Sequence, residues 1–195
     1  MMIRTGDSSR RVRGGGLRGL RGFTLIELMV ALVILSVLLG FALPAFQSMS
    51  LSANLRSNAN TLVASAQLAR SEAIKRNAVV RLCVSSDGTS CGSGDWEQGW
   101  IVLAPDNTVL HAEPALDDGY VVTVIKEGTS TAVTTLRFPS SGVGLKLNSE
   151  TDTATAEFRI CRVTPSVGEQ ERKVRISTTG RTSVDKTNEG TCSAS

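Results

Sequence analysis

Glu27 is the residue of this chain whose type and position most demand a chemical explanation. It stands at the head of an apolar segment, and from Leu28 to Phe46 the chain has 19 consecutive residues without a charge. A carboxylate in such a segment costs several kcal/mol in lipid unless it is paired. The sequence therefore predicts a partner of opposite charge for Glu27.

The residues before the apolar segment are basic. Residues 1–22 contain six arginines and one aspartate, whereas the remainder contains 15 Lys or Arg and 17 Asp or Glu. The overall net charge of +3 thus reflects this leader and says little about a nucleic-acid partner. At about 1.5 Å per residue, residues 28–46 span roughly the hydrocarbon core of a bilayer. Basic residues before a span predict a cytoplasmic N-terminus and an exported remainder.

The stretch RGFTLIE carries a resemblance to a known family. It is similar to the class III leader of type IV pilins and type II secretion pseudopilins. The resemblance implies that a prepilin peptidase cuts between Gly22 and Phe23 and that the new amine of Phe23 is methylated. Glu27 matches the family's assembly glutamate, and Pro44 matches the proline that kinks its helix. The implied partners are the peptidase, the inner membrane, and other major and minor pilins or pseudopilins.

The resemblance also suggests a partner for Glu27. The new amine of Phe23, on the same or a neighbouring subunit, has the opposite charge. Because charges attract more strongly in a medium of low dielectric constant than in water, this pair would help to set the axial register of a subunit entering a filament.

One long helix must position these residues. Beyond Pro44, apolar residues continue at three- and four-residue steps, which predicts one buried stripe on a helix that ends near Asn77 or Ala78. The stripe consists of Leu51, Leu55, Ala59, Leu62, Ala66, Ala69 and Ala73. The predicted domains are a cleaved leader (1–22), a transmembrane or filament-core helix (23–46), its amphipathic continuation (47–78) and a periplasmic β-rich domain (79–195).

After Val79 the pattern changes to short β-branched runs separated by Gly, Pro, Ser or Asp, which predicts seven or eight strands. One long helix followed by these strands indicates an α+β pilin fold, in which an antiparallel β domain packs on the helix. Trp96 and Trp100 are interpreted as core anchors, His111 as a structural or surface residue, and Asp117 and Asp118 as turn residues.

The chain has four cysteines and one histidine. Without closely spaced ligands a zinc site is not expected, and an even number of cysteines in an exported domain predicts disulfides. Four cysteines allow three pairings, and the pairing of neighbours in sequence, Cys83 with Cys91 and Cys161 with Cys192, is preferred. No catalytic constellation, metal site or cofactor motif is visible, so an enzyme is not expected.

The ectodomain resembles the FimT/FimU and GspH group of minor pilins and pseudopilins, from LARSEAIKRN through FRICR to ISTTGR. FimT-type proteins bind DNA through a C-terminal Gly-Arg-x-Arg element. Here that element reads Gly180, Arg181, Thr182, Ser183, so its second arginine is missing.

The charges of the C-terminal region bear on this possibility. Residues 158–195 carry seven Lys or Arg and four Asp or Glu, whereas residues 82–157 carry three and eleven. Alternation in ERKVRIS predicts Val174 and Ile176 inward, with Lys173 and Arg175 outward. Together with Arg181 beyond the turn and Arg172 at the start of the strand, these cations are predicted to share one face, which forms the predicted site for double-stranded DNA. The alternative interpretation is an ordinary solvated face, offset by Glu169, Glu171, Asp185 and Glu189.

Two functions follow. The first is a minor type IV pilin that joins or primes a pilus and binds exogenous DNA for natural transformation. The second is a GspH-like pseudopilin of a type II secretion system, with a structural role at the tip. Both begin as single-pass proteins of the bacterial inner membrane, with a periplasmic C-terminal domain, before entering a pilus or pseudopilus.

Overall fold

The computed structural model describes residues 22–163, residues 171–187 and Cys192. The chain divides into two compact units, the first ending at Leu43 and the second beginning at Pro44. Each unit is described by itself.

Helix α1 extends from Leu25 to Arg76 and contributes to both units. In the first unit its apolar side chains are exposed; Leu35, for example, keeps 50% of its surface in contact with solvent. No helix of the described residues is both long enough and apolar enough to cross a membrane. The kink at Pro44 and the transmembrane assignment of residues 23–46 stay predictions.

In the second unit, α1 buries one face. All seven residues of the predicted stripe, from Leu51 to Ala73, are 0–4% exposed, so the prediction is confirmed. Four of the seven are alanines, whose small side chains allow other elements to pack close to the helix. The helix ends at Arg76, and Asn77 follows with a positive φ of 50°, a conformation that asparagine tolerates better than most residues.

Nine strands follow among the described residues. They are β1 (Val80–Val84), β2 (Trp100–Leu103), β3 (Val109–Glu113), β4 (Tyr120–Lys126), β5 (Thr135–Phe138), β6 (Lys146–Leu147), β7 (Ala156–Arg162), β8 (Glu171–Ile176) and β9 (Thr182–Thr187). The predicted strands are all present. The additional strand is β6, whose two residues are too few to show a period in the sequence.

The strands form two antiparallel sheets. The first has the order β3-β2-β1-β5-β6, and the second has the order β4-β7-β8-β9. The stripe of α1 shares one hydrophobic core with residues of both sheets, which confirms the α+β architecture. Both tryptophans belong to this core, as predicted: the indole N–H of Trp96 donates to the Val133 carbonyl at 2.6 Å, and that of Trp100 donates to Ser65 Oγ at 3.0 Å.

Two disulfides close loops of different size. Cys83 is bonded to Cys91, eight residues away, and Cys161 is bonded to Cys192, 31 residues away. This is the predicted pairing of neighbours in sequence. The second bridge connects Cys161 on β7 to Cys192, so it ties Cys192 to the second sheet.

Candidate functional site

The predicted processing site lies immediately before α1. Gly22 and Phe23 are both exposed, and a Cβ built on Gly22 would meet no atom within 4 Å. Phe23 keeps 80% of its surface exposed. The residues on either side of the predicted cut are thus accessible in this unit, while cleavage and methylation themselves stay predictions.

Thr24 caps the start of α1, a role that the sequence interpretation missed. Thr24 precedes the helix, and its hydroxyl oxygen accepts a hydrogen bond from the backbone N–H of Glu27 at 3.3 Å. Ser or Thr at the N-cap with Glu three residues later is the capping-box pattern, and it is readable in TLIE. A carboxylate in the first turn is also favoured by the helix dipole.

The hydrogen bond uses only the backbone of Glu27, and its carboxylate is exposed. The predicted partner, the free amine of Phe23, does not exist in this chain, because Phe23 is still joined to Gly22. The pairing of Glu27 with that amine therefore stays a prediction for the processed protein.

The other predicted site lies on β8 and the turn that follows it. Val174 and Ile176 are fully buried, whereas Lys173 is half-buried and Arg175 is exposed. The predicted alternation along β8 is therefore confirmed. Lys173 and Arg175 lie on the outer face of the second sheet, away from the core.

Carboxylates from neighbouring elements are paired with both outward cations. Lys173 Nζ lies 3.3 Å from Glu157 Oε1 on β7, and Arg175 contacts Glu127, just after β4. The hydrogen bond from Arg175 lowers the pKa of Glu127, and the same bond raises the pKa of Arg175. A third pair, Arg159 with Glu171 at 2.7 Å, continues the series. The outer face is thus a row of ion pairs rather than a basic patch.

Arg172 does not join this row. Since it shares the parity of Val174 and Ile176, it lies on the inward face, and only 7% of its surface is exposed. Its guanidinium donates to Ser52 Oγ on α1 at 2.9 Å. Its predicted place on the same face as Lys173 and Arg175 was wrong, because a strand places successive side chains on opposite faces.

Arg181 follows the turn between β8 and β9 and is exposed. The Ser177 hydroxyl accepts a hydrogen bond from the backbone N–H of Arg181 at 3.1 Å, and Gly180 in the turn has a φ of 73°. Of the four predicted cations, Arg181 is the exposed one whose side chain has no ion pair among the described residues.

Arg70 on α1 positions this turn, and the sequence interpretation missed it. Its Nε donates to the Gly142 carbonyl at 2.9 Å, and its Nη1 lies 3.4 Å from the Gly180 carbonyl. A Cβ on Gly180 would lie 2.7 Å from Arg70 Nε, so the glycine is needed for close approach as well as for its positive φ. The signal in the sequence that could have identified Arg70 is its position beside the apolar stripe of α1.

His111 and Asp117 make local contacts within the β domain. His111 lies on β3 with its Nε2 3.4 Å from Glu113 Oε2, and the carbonyl of Asp117 accepts a hydrogen bond from Tyr120 in a turn. Within the described residues, no group of three His, Cys, Asp or Glu side chains is placed to hold a metal ion.

A long helix that packs on two antiparallel sheets after a methylation-type leader defines a pilin-like subunit. The family model described as Type II transport protein GspH matches residues 58–180. The model described as Prokaryotic N-terminal methylation motif matches residues 17–43. The chain therefore belongs to the GspH family and is a minor pilin or pseudopilin.

The sequence of this chain is also similar to that of a known pilin-like protein. The pilin-like protein PilA1 of Thermus thermophilus is 36% identical over 99 residues, which are 51% of this chain and 57% of that protein. The match thus spans little more than half the length of that relative.

Two crystal structures of the type IV minor pilin FimU of Pseudomonas aeruginosa are 24% identical to this chain. The match to the first crystal form covers 67% of this chain and 87% of that one, with a TM-score of 0.49. The match to the second covers 67% and 91%, with a TM-score of 0.47. The family assignment rests on the sequence models and not on these structures.

Proposed function

We propose that this protein is a minor subunit of a type IV pilus-like filament and that it acts through contacts rather than catalysis. The observation that carries the proposal is the combination of the methylation motif, matched at residues 17–43, with an apolar helix whose side chains are exposed from Leu25 to Phe41. Such a surface needs a partner, either lipid or the helices of other subunits.

Processing would place the subunit in that setting. The peptidase cuts after Gly22, the amine of Phe23 is methylated, and the basic leader stays in the cytoplasm. Before assembly, residues 23–46 hold the chain in the inner membrane with the second unit in the periplasm. The two disulfides fit an oxidising compartment of this kind.

The ion pairs of the second sheet favour a structural role over DNA capture. Neutralising phosphates requires cations that are available to them. Lys173 and Arg175 already have carboxylate partners, and Arg172 is buried on the other face. Within the predicted site, Arg181 is then the exposed cation without an ion pair among the described residues, and one such cation gives only a weak affinity for DNA.

The experiment that tests this choice is DNA binding by the processed protein, which begins at Phe23, measured in detergent at several salt concentrations. We expect no more than weak binding, which the triple variant Lys173→Ala, Arg175→Ala, Arg181→Ala leaves nearly unchanged. A matched control replaces Lys75, Arg76 and Arg81, three cations elsewhere. Strong binding that is lost only in the first variant would make this a DNA-capturing pilin instead.

The choice between a pilus and a type II secretion system needs a different test. Deletion of the gene, followed by complementation, should remove either surface pili or the secretion of exported enzymes. Complementation by a Glu27→Ala variant should fail in the affected process while the protein is still cleaved. Full complementation by that variant would contradict the assembly role of Glu27.

A further inference from the structure

A cleft opens between α1 and the edge strand β9, on the side of β8 that carries Arg172. Its volume is about 350 Å³, which is within the usual range for small-ligand sites. The polar residues that line it are Ser52, Arg56 and Asn60 from α1, Arg172 from β8, and Asp185 and Lys186 from β9. Because Asp185 and Lys186 have opposite charges, the two arginines give the lining its net positive charge.

Arg172 is buried in the wall of the cleft, and among the described residues no carboxylate is paired with it. Its guanidinium donates hydrogen bonds to neutral acceptors, the Glu171 carbonyl at 3.0 Å and Ser52 Oγ at 2.9 Å. The carboxylate of Glu171 pairs instead with Arg159. These bonds engage two of the five N–H donors of a guanidinium. A buried charge held by neutral groups is costly, so an anion that enters the cleft would relieve this cost.

Arg56 lies exposed at the rim, and its place in the sequence relates the cleft to the membrane. Residues 28–55 contain no Asp, Glu, Lys or Arg, so Arg56 is the first charged residue of α1 after Glu27. Phe46, the last residue of the apolar run, precedes Ser52 by six residues and Arg56 by ten. Along a helix these separations are about 9 Å and about 15 Å.

These separations bring the cleft close to the level of lipid headgroups. In the proposed function, residues 23–46 lie in the inner membrane, and a polar layer of roughly 5–8 Å borders each side of the hydrocarbon core. Ser52 lies just beyond that layer. The side chain of Arg56 reaches back towards it, because helical side chains tilt towards the N-terminus and long cationic ones extend to the membrane interface. The anions of this layer are phosphate groups, which guanidinium groups bind through paired hydrogen bonds.

We infer that the cleft binds the phosphate group of an anionic phospholipid while the subunit is in the membrane. The inference rests on the proposed function, because it requires residues 23–46 to lie in the bilayer. Arg172 and Arg56 donate to the phosphate from the wall and from the rim. A lipid with a negative net charge is preferred, since the ammonium group of a zwitterionic headgroup is repelled by the same arginines.

The test is native mass spectrometry of the processed protein, which begins at Phe23, in detergent micelles that contain phosphatidylglycerol or phosphatidylcholine. We expect one phosphatidylglycerol molecule to stay bound, and more of it than of phosphatidylcholine. Arg56→Gln should lower the bound fraction about fivefold. The matched control Arg76→Gln, near the other end of the same helix, should leave the bound fraction unchanged. Equal retention of phosphatidylglycerol by the native protein and Arg56→Gln would overturn the inference.

Two further measurements separate recognition of a lipid phosphate from a general attraction. Arg172→Lys keeps the charge but loses the paired hydrogen bonds, so it should also lower the bound fraction, with circular dichroism as the check that it is folded. Undiminished retention in this variant would overturn the inference. Millimolar inorganic phosphate should not displace the lipid, whose acyl chains hold its headgroup at a high local concentration. Displacement would mean that the cleft is a site for free phosphate instead.

Failure of the inference can be distinguished from failure of the proposed function. A processed protein that is recovered from the membrane but retains no phosphatidylglycerol overturns the inference alone. A protein that is absent from both membrane and filament fractions overturns both. Glu169→Gln and Glu189→Gln, outside the described residues, should leave the bound fraction unchanged. An increase in either variant would overturn the inference, because the chain's own carboxylate would then fill the cleft.

Discussion

The two parts of α1 follow the same helical geometry but have opposite surroundings. From Leu25 to Phe41 the helix is largely apolar and exposed, whereas from Leu51 to Ala73 one narrow stripe is apolar and buried. The second part finds its partners in its own chain. The apolar surface of the first part is exposed, and in the proposed function it is covered by lipid or by other subunits.

The first prediction exploits this difference with one substitution in each part. Leu55→Ala removes a side chain that is 0% exposed, so we expect unfolding to become easier by about 2–5 kcal/mol. Leu35→Ala, the matched control on the exposed part, should change the stability by less than about 0.5 kcal/mol. Denaturant unfolding of the full chain in detergent measures both.

During assembly, the Leu35→Ala variant should have the larger effect of the two. Leu35→Ala is expected to reduce the amount of protein in the filament fraction although the second unit remains folded. Equal losses of stability in the two variants would contradict the distinction between the two parts of the helix.

The second prediction compares the two disulfides. Replacing Cys161 and Cys192 by Ser should cost about 4 kcal/mol and replacing Cys83 and Cys91 about 2.5 kcal/mol, because the longer loop gains more freedom in the unfolded chain. Unfolding of the two double variants under the same conditions gives the difference. A larger loss from the short loop would show that its local packing outweighs the entropy of the chain.

The third prediction concerns the attachment of the last hairpin to α1. Arg70→Ala removes hydrogen bonds to two turn carbonyls, so we expect a loss of about 2 kcal/mol. Arg56→Ala, on the same helix and exposed, should cost less than about 0.5 kcal/mol. Amide hydrogen exchange should accelerate around residues 177–181 in the first variant only, and an unchanged exchange rate there would argue against the positioning role of Arg70.

The smallest expected effect is a dependence on pH. Backbone hydrogen bonds from Ser90 and then Thr89 hold the pKa of Asp87 well below its ordinary value of 3.8. Because the folded pKa is depressed, this contribution is present above pH 3.8 and is lost as the pH falls below it. The difference in melting temperature between the native chain and Asp87→Asn should therefore shrink on acidification from about pH 6 towards about pH 2. A difference in melting temperature that stays constant would contradict this contribution of Asp87 to stability.

Much of the fold could be predicted, because its signals are local. The stripe from Leu51 to Ala73 repeats at the period of a helix, and β8 alternates at the period of a strand. The partners of Lys173 and Arg175 could not be predicted, since Glu157 and Glu127 are neighbours only through strand pairing. The inward position of Arg172 could have been predicted, because Arg172 shares the parity of Val174 and Ile176 along β8.

The central claim is that this chain is processed between Gly22 and Phe23 and then enters a filament. The most direct measurement is the intact mass of the protein recovered from the membrane and filament fractions, combined with sequencing of its N-terminus. The account predicts a chain that begins at methylated Phe23 in both fractions. A chain that retains Met1, or one cut after Phe46, would contradict it.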